Sequence, residues 1–132
     1  MIKTCIPVQA KVDFLSGVHT LKDQYRLVLY GSDANLDEYT SNYVPQGEIT
    51  GKGYARGGLL LENPRAWADN TAGCLTFDSL TIPDSTITAR GYMIINSTKA
   101  NKAVCIVDWG AEYVSTMGQF YVRIATDQIV FD

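Results

Sequence analysis

The residue types most suggestive of chemistry lie in one stretch of residues 47–58, GEITGKGYARGG, where five glycines and two basic side chains share twelve positions. A loop of that composition can cradle phosphate if successive amides wrap the anion and a lysine reaches it. The P-loop form needs four residues between its first glycine and the Gly-Lys pair, then a Ser or Thr for magnesium. Here Gly47 and Gly51-Lys52 enclose three residues, and Gly53 stands where the hydroxyl should be. Gly51, Gly53 and Gly57 also miss the dinucleotide-binding spacing by one residue. The expectation is therefore no nucleotide and no cofactor. The glycines are read as conformational: a short strand at residues 48–50 runs into positions that permit positive φ or close backbone approach.

Other reactive side chains are scattered. His19 is the single histidine, with Cys5 and Ser16 near it only in sequence, so no nucleophile–base pair is assembled. It falls where a short helix should end and is expected to face the last carbonyls. Asp33, Asp37 and Glu38 lack the regular ligand spacing and glycine of an EF-hand loop. Asp13, Asp108 and Glu112 could be imagined as an acid/base pair, but they read more simply as solvated or capping carboxylates. Cys5, Cys74 and Cys105 are odd in number, far apart and without a C-x-x-C spacing, which fits neither a disulfide framework nor a zinc site. They are read as reduced, mostly buried thiols. No catalytic, cofactor-binding or metal-binding residue is assigned. The eight tyrosines, with Trp67 and Trp109, suit a core and a protein interface; stacking against sugar rings is the alternative.

The elements that would position these groups are mostly strands. At 132 residues, 46% hydrophobic and 19% charged, the chain suits one globular domain. A net charge of −3 with dispersed Lys and Arg speaks against a nucleic-acid surface. No signal-peptide pattern opens the chain and no stretch reaches the length of a membrane span. Ala10, Phe14, Leu15 and Val18 recur at helical spacing and predict one short N-terminal helix of about two turns lying against a sheet. YRLVLY (residues 25–30) is a strand, followed by a polar loop with a turn of helix near residues 35–39. Across residues 86–96 the pattern alternates, with Ile87, Ala89, Gly91, Met93 and Ile95 on one face. Residues 97–102 turn the chain into a second alternating run at 103–109, with Asn96-Ser97-Thr98 read as part of the turn and not as a glycosylation site. Strands at residues 120–124 and 128–131 follow, joined tightly at Thr126-Asp127. Short strands separated by polar loops predict a mainly β, single-domain antiparallel β-sandwich, jelly-roll-like, spanning residues 1–132.

Two longer passages carry a resemblance. Residues 25–58 contain Ala34, Leu36, Asp37, Thr40 and Tyr43, then Gly47, Glu48, Gly51, Gly53, Tyr54, Gly57 and Gly58; farther on come Thr86, Thr88, Ala89, Arg90 and Gly91. In this order they fit A-x-L-D-x-x-T-x-x-Y, G-E-x-x-G-x-G-Y-x-x-G-G and T-x-T-A-R-G. The chain thereby resembles a family of small tailed-bacteriophage virion structural proteins of head-decoration or neck–tail accessory type. The resemblance covers roughly residues 9 to 125 and lapses around residues 64–72, in and after ENPRAWADN (residues 62–70). It implies a non-enzymatic component of the virion, made in the host cytoplasm, whose partners are other virion proteins. These would be the major capsid protein or neck and tail proteins, with homo-oligomerisation and no nucleic acid or membrane. The expected role is a capsid decoration or cement protein binding neighbouring capsid subunits. A neck or tail ring or fibre base, or a carbohydrate-binding module for host attachment, is the alternative.

Overall fold

In the computed structural model, which describes residues 1–131, the chain forms α1 (Val8–Leu15), β1 (Tyr25–Tyr30), β2 (Leu59–Leu60), β3 (Arg65–Asp69), β4 (Ala72–Thr76), β5 (Leu80–Asn96), a 3-10 turn (Ser97–Lys99), β6 (Lys102–Val122) and β7 (Ile129–Phe131). It is mainly β. All strand pairs are antiparallel, in two sheets of order β2-β1-β5-β6 and β3-β4-β7. One apolar cluster joins the sheets: Leu27 and Leu29 of β1, Tyr92 and Ile94 of β5, and Cys105 and Phe120 of β6 pack with Ile129 of β7 and, partly buried, Leu75 of β4. A second cluster lies on the opposite face of the larger sheet. There Val28, Tyr30, Met93, Ile95 and Ile106 are covered by Ile2, Ala34 and Leu36. Alternate β1 side chains therefore enter different clusters, and a strand covered on both faces reads as a continuous hydrophobic run.

The hairpin of β5 and β6 is the spine of the fold. Asn96 caps its connecting turn by accepting from the Lys99 N–H at 3.2 Å, and Ala100 and Asn101 take left-handed backbone conformations to complete the reversal. Pairing then runs from Asn96↔Lys102 to Leu80↔Val122, with register shifts on the way. These shifts correct the simple alternation expected of residues 86–96. Ile87 and Ala89 share a cluster with Tyr92 and Ile94, and not with Met93 and Ile95, because a bulge between Ala89 and Gly91 reverses which parity faces inward. β6 is likewise one strand where two were expected, its middle bulging outward so that Ala89↔Tyr113 follows Gly91↔Asp108.

Four further differences have local causes. Residues 48–50 make no strand; Glu48 contributes a lone bridge to Tyr30, and Ile49 N–H bonds Leu29 O at 3.1 Å. Residues 35–39 form no helical turn, because Leu36 is drawn into a bridge with Ile2. The hairpin of β3 and β4 was not foreseen; it reverses at Asn70, with φ of 54°. β7 pairs with β4 in the other sheet, so Thr126-Asp127 is a crossing between sheets and not a hairpin turn. The helix forms where its spacing placed it and buries Ala10, while Phe14 packs on the core. Leu15, which its spacing placed in the apolar stripe, is instead 88% exposed at the end of the helix.

Candidate interaction surface

The glycine-rich stretch folds around an anion that the chain itself supplies. The Glu48 side chain is fully buried. Its Oε2 accepts from Tyr54 Oη at 2.6 Å and from the Gly57 N–H at 2.8 Å. Its Oε1 accepts from Tyr43 Oη and lies 3.4 Å from Arg56 Nε. An amide and a guanidinium that could have met a phosphate are thus committed to a carboxylate. Burial, and then the hydrogen bond to Glu48, push the Tyr54 phenol well above its ordinary value. The glycines serve backbone approach. A Cβ on Gly51 would stand 2.5 Å from Thr86 O, and Gly53, at φ of +92°, would place one 3.0 Å from Ser85 Cβ. That contact lets the Thr86 N–H bond Lys52 O at 3.0 Å, so the loop pairs with the edge of β5 beyond the end of β1.

A second buried polar group surrounds His19. Neither His19 nor Asp13 is the solvated or capping residue expected: His19 is 7% exposed and Asp13 4%. The helix instead ends at Ser16, whose Oγ donates to Val12 O at 2.8 Å. Asn96 Nδ2 lies 3.0 Å from His19 Nδ1 and donates to Asp23 Oδ2 at 2.9 Å. This arrangement makes Nδ1 an acceptor and puts the imidazole proton on Nε2, 3.9 Å from Asp13 Oδ2. Those two atoms are buried without a hydrogen-bond partner. Lys99 Nζ closes the group on Asp23 at 3.2 Å. Burial holds the His19 pKa below its ordinary value, against the pull of Asp13 and Asp23. Asn96 is wholly buried here, consistent with its reading as a turn residue and not a glycan acceptor.

The remaining candidates are apart from one another. Asp37 forms a local turn, with its Oδ1 accepting from the Tyr39 N–H at 2.9 Å, and Glu38 pairs with Lys3 at 2.9 Å. Asp108 pairs with Arg90 at 3.1 Å, while Glu112 accepts from Ser32 Oγ at 2.8 Å. Among the described residues no three His, Cys, Asp or Glu side chains are grouped to hold a metal ion, and no helix is long and apolar enough to cross a membrane. The three cysteines form no disulfide. Burial pushes the Cys105 thiol up to about 12, which disfavours the reactive thiolate in the folded protein.

What the fold leaves open is the far half of β6. Tyr113, Val114, Met117 and Tyr121 are 54%, 64%, 75% and 61% exposed. Tyr113, Val114 and Tyr121, with Trp109 and Phe120, border a groove of about 340 Å³ along the strand. Trp109 is held by an aromatic chain, 5.7 Å from Tyr92 and 5.7 Å from Tyr113 between ring centroids. Trp67 is committed elsewhere, donating from Nε1 to Thr126 O at 3.0 Å. The sequence marked the aromatics but not this surface, because its strand was hidden behind Gly110, Gly118 and the polar Ser115-Thr116. Comparison of the chain with protein-family models, with curated proteins and with solved structures found no match.

Proposed function

We propose that the chain is a non-enzymatic structural protein of a tailed-bacteriophage virion, a capsid decoration protein that binds neighbouring capsid subunits. The observation that carries this reading is the apolar far half of β6, where Tyr113, Val114, Met117 and Tyr121 are each more than half exposed along an edge that no other strand covers among the described residues. Contiguous exposed apolar surface of this kind serves protein contact. The groups that might have served chemistry support the same view: Glu48 is consumed by its own loop, and His19 is enclosed with Asp13 and Asn96. The resemblance of the A-x-L-D, G-E-x-x-G-x-G-Y and T-x-T-A-R-G passages supplies the virion context. Many weak contacts repeated over a shell add by multivalency.

The test is the stoichiometry of the chain in purified virions, measured by mass spectrometry against the major capsid protein, with a cryo-EM map to locate it. Copies in proportion to capsid subunits are expected. A single ring at the neck or tail would replace decoration by an accessory role there. Absence from the particle, or selective glycan binding in the Trp109–Tyr121 groove, would overturn the reading.

A further inference from the structure

We infer that the free edge of β6 pairs with the same edge of a second copy of this chain, antiparallel about a two-fold axis between Met117 and Gly118. This names the partner of the surface invoked above and rests on that surface being a protein interface. It does not depend on the virion assignment.

The two ends of the β6 edge have different surroundings. Near its start β6 is covered: the Cys5 N–H bonds Ile106 O at 3.0 Å, Ile106 N–H bonds Cys5 O at 2.9 Å, and Ala103 N–H bonds Ser41 O at 3.0 Å. Beyond the bulge at Gly110, β6 pairs with β5 on one side, and among the described residues no strand or bridge joins its other side. An edge strand offers half its backbone donors and acceptors outward, and proteins usually guard such edges with charge or proline. Between Glu112 and Arg123 the sequence YVSTMGQFYV has neither.

Charges and faces also match across the proposed axis. A two-fold axis between Met117 and Gly118 puts Glu112 of one copy opposite Arg123 of the other, twice. It also puts Val114 opposite Tyr121, and Ser115 opposite Phe120. Opposed residues on antiparallel strands must share a face. Val114 and Tyr121 are both exposed, opposite Thr88 and Thr81 of β5, while Ser115 and Phe120 are both buried, opposite Ile87 and Ile82. In an unbroken strand, residues five or seven apart lie on opposite faces. The register shift between Ile87↔Ser115 and Ser85↔Gly118 reverses the faces at the proposed axis and makes this pairing consistent. Tyr113–Ser115 flanks of each copy then meet the Phe120–Val122 flanks of the other.

The decisive experiment is sedimentation equilibrium on the isolated protein, with charge-reversed variants. The wild type is expected to dimerise. Glu112→Arg and Arg123→Glu should each raise the dissociation constant about tenfold, and the double variant should recover most of it, because two facing pairs are exchanged together. Both residues are exposed, so unchanged circular dichroism should accompany every variant. A monomer at all soluble concentrations overturns the inference, as does a dimer indifferent to both single reversals. A dimer missing from virions would sink the virion reading alone; a monomer found in virions would sink only this one.

Discussion

The two halves of the β5–β6 hairpin are built from the same two strands and have opposite surroundings. Near the turn, Met93, Ile94, Ile95, Ala103 and Ile106 are at most 1% exposed, since one sheet face meets the second sheet and the other lies under Ile2, Ala34 and Leu36. In the far half the buried residues alternate with exposed ones, and Val114, Met117 and Tyr121 face outward. Coverage, and not strand propensity, separates the scaffold from the surface available to a partner. Methionine reports it directly. Met93→Ala should cost about 2–5 kcal/mol by denaturant titration, because it empties a filled core. Met117→Ala, at a residue 75% exposed, should stay within about 0.5 kcal/mol. Equal costs would mean that the far half is covered within a single copy of the chain.

The covering segments can be broken in turn. Glu48→Ala strands the Tyr54 and Tyr43 hydroxyls and the Gly57 N–H inside the loop and should cost about 2–3 kcal/mol, near the penalty for unsatisfied buried groups. Glu48→Gln, which keeps the shape and one acceptor, should cost less. If both were silent in thermal melts, the loop would not depend on its carboxylate. Gly53→Val should cost about 1–3 kcal/mol, through strain at φ of +92° and its approach to Ser85.

How much of this could be read in advance depended on whether the signal was local. β1 and the reversal at residues 97–102 were legible because β-formers and turn formers stand at the positions that use them. The bulges between Ala89 and Gly91 and near Ser115 were not, since a bulge is fixed by the partner strand and leaves no mark on its own period. Glu48 was passed over as a strand residue: nothing in its neighbours announces that Tyr43, Tyr54 and Gly57 will converge on it. The misreading of His19 has the same origin, because Asn96 lies 77 residues away. The glycine spacing did exclude the known phosphate loops, and the structure adds what the glycines are for.

The His19 group gives a smaller, pH-dependent effect in the covered half. Burial lowers its folded-state pKa, with Asp13 and Asp23 opposing and Lys99 and Lys102 assisting the shift. The unfolded chain therefore takes up the proton more readily than the folded one. Stability from this residue is complete above the ordinary histidine value of about 6.5 and is lost as pH falls from there toward the lower folded value. The melting temperature should fall between roughly pH 7 and 5, the range in which histidine titrates. His19→Gln should flatten that fall, as no other histidine is present. An unchanged slope in the variant would assign the effect to carboxylates.

The smallest expected effect is also the sharpest statement about the glycine-rich loop. Lys52 is the residue that a phosphate-binding reading would make indispensable. In the fold its side chain is exposed, and only its backbone is used, through the carbonyl that accepts from the Thr86 N–H at 3.0 Å. Lys52→Ala keeps that carbonyl and should change stability by no more than about 0.5 kcal/mol. Assembly should be equally indifferent, because Lys52 lies on the loop that covers β5, whereas the open edge belongs to β6. Thermal melts and incorporation into particles measure the two effects separately. If Lys52→Ala left the melting curve intact but abolished incorporation, the lysine would be a contact residue and the loop would join β6 as a second binding surface. If it lowered stability as much as Gly53→Val, the side chain would be holding the loop itself, and the division between a covering backbone and a free side chain would fail.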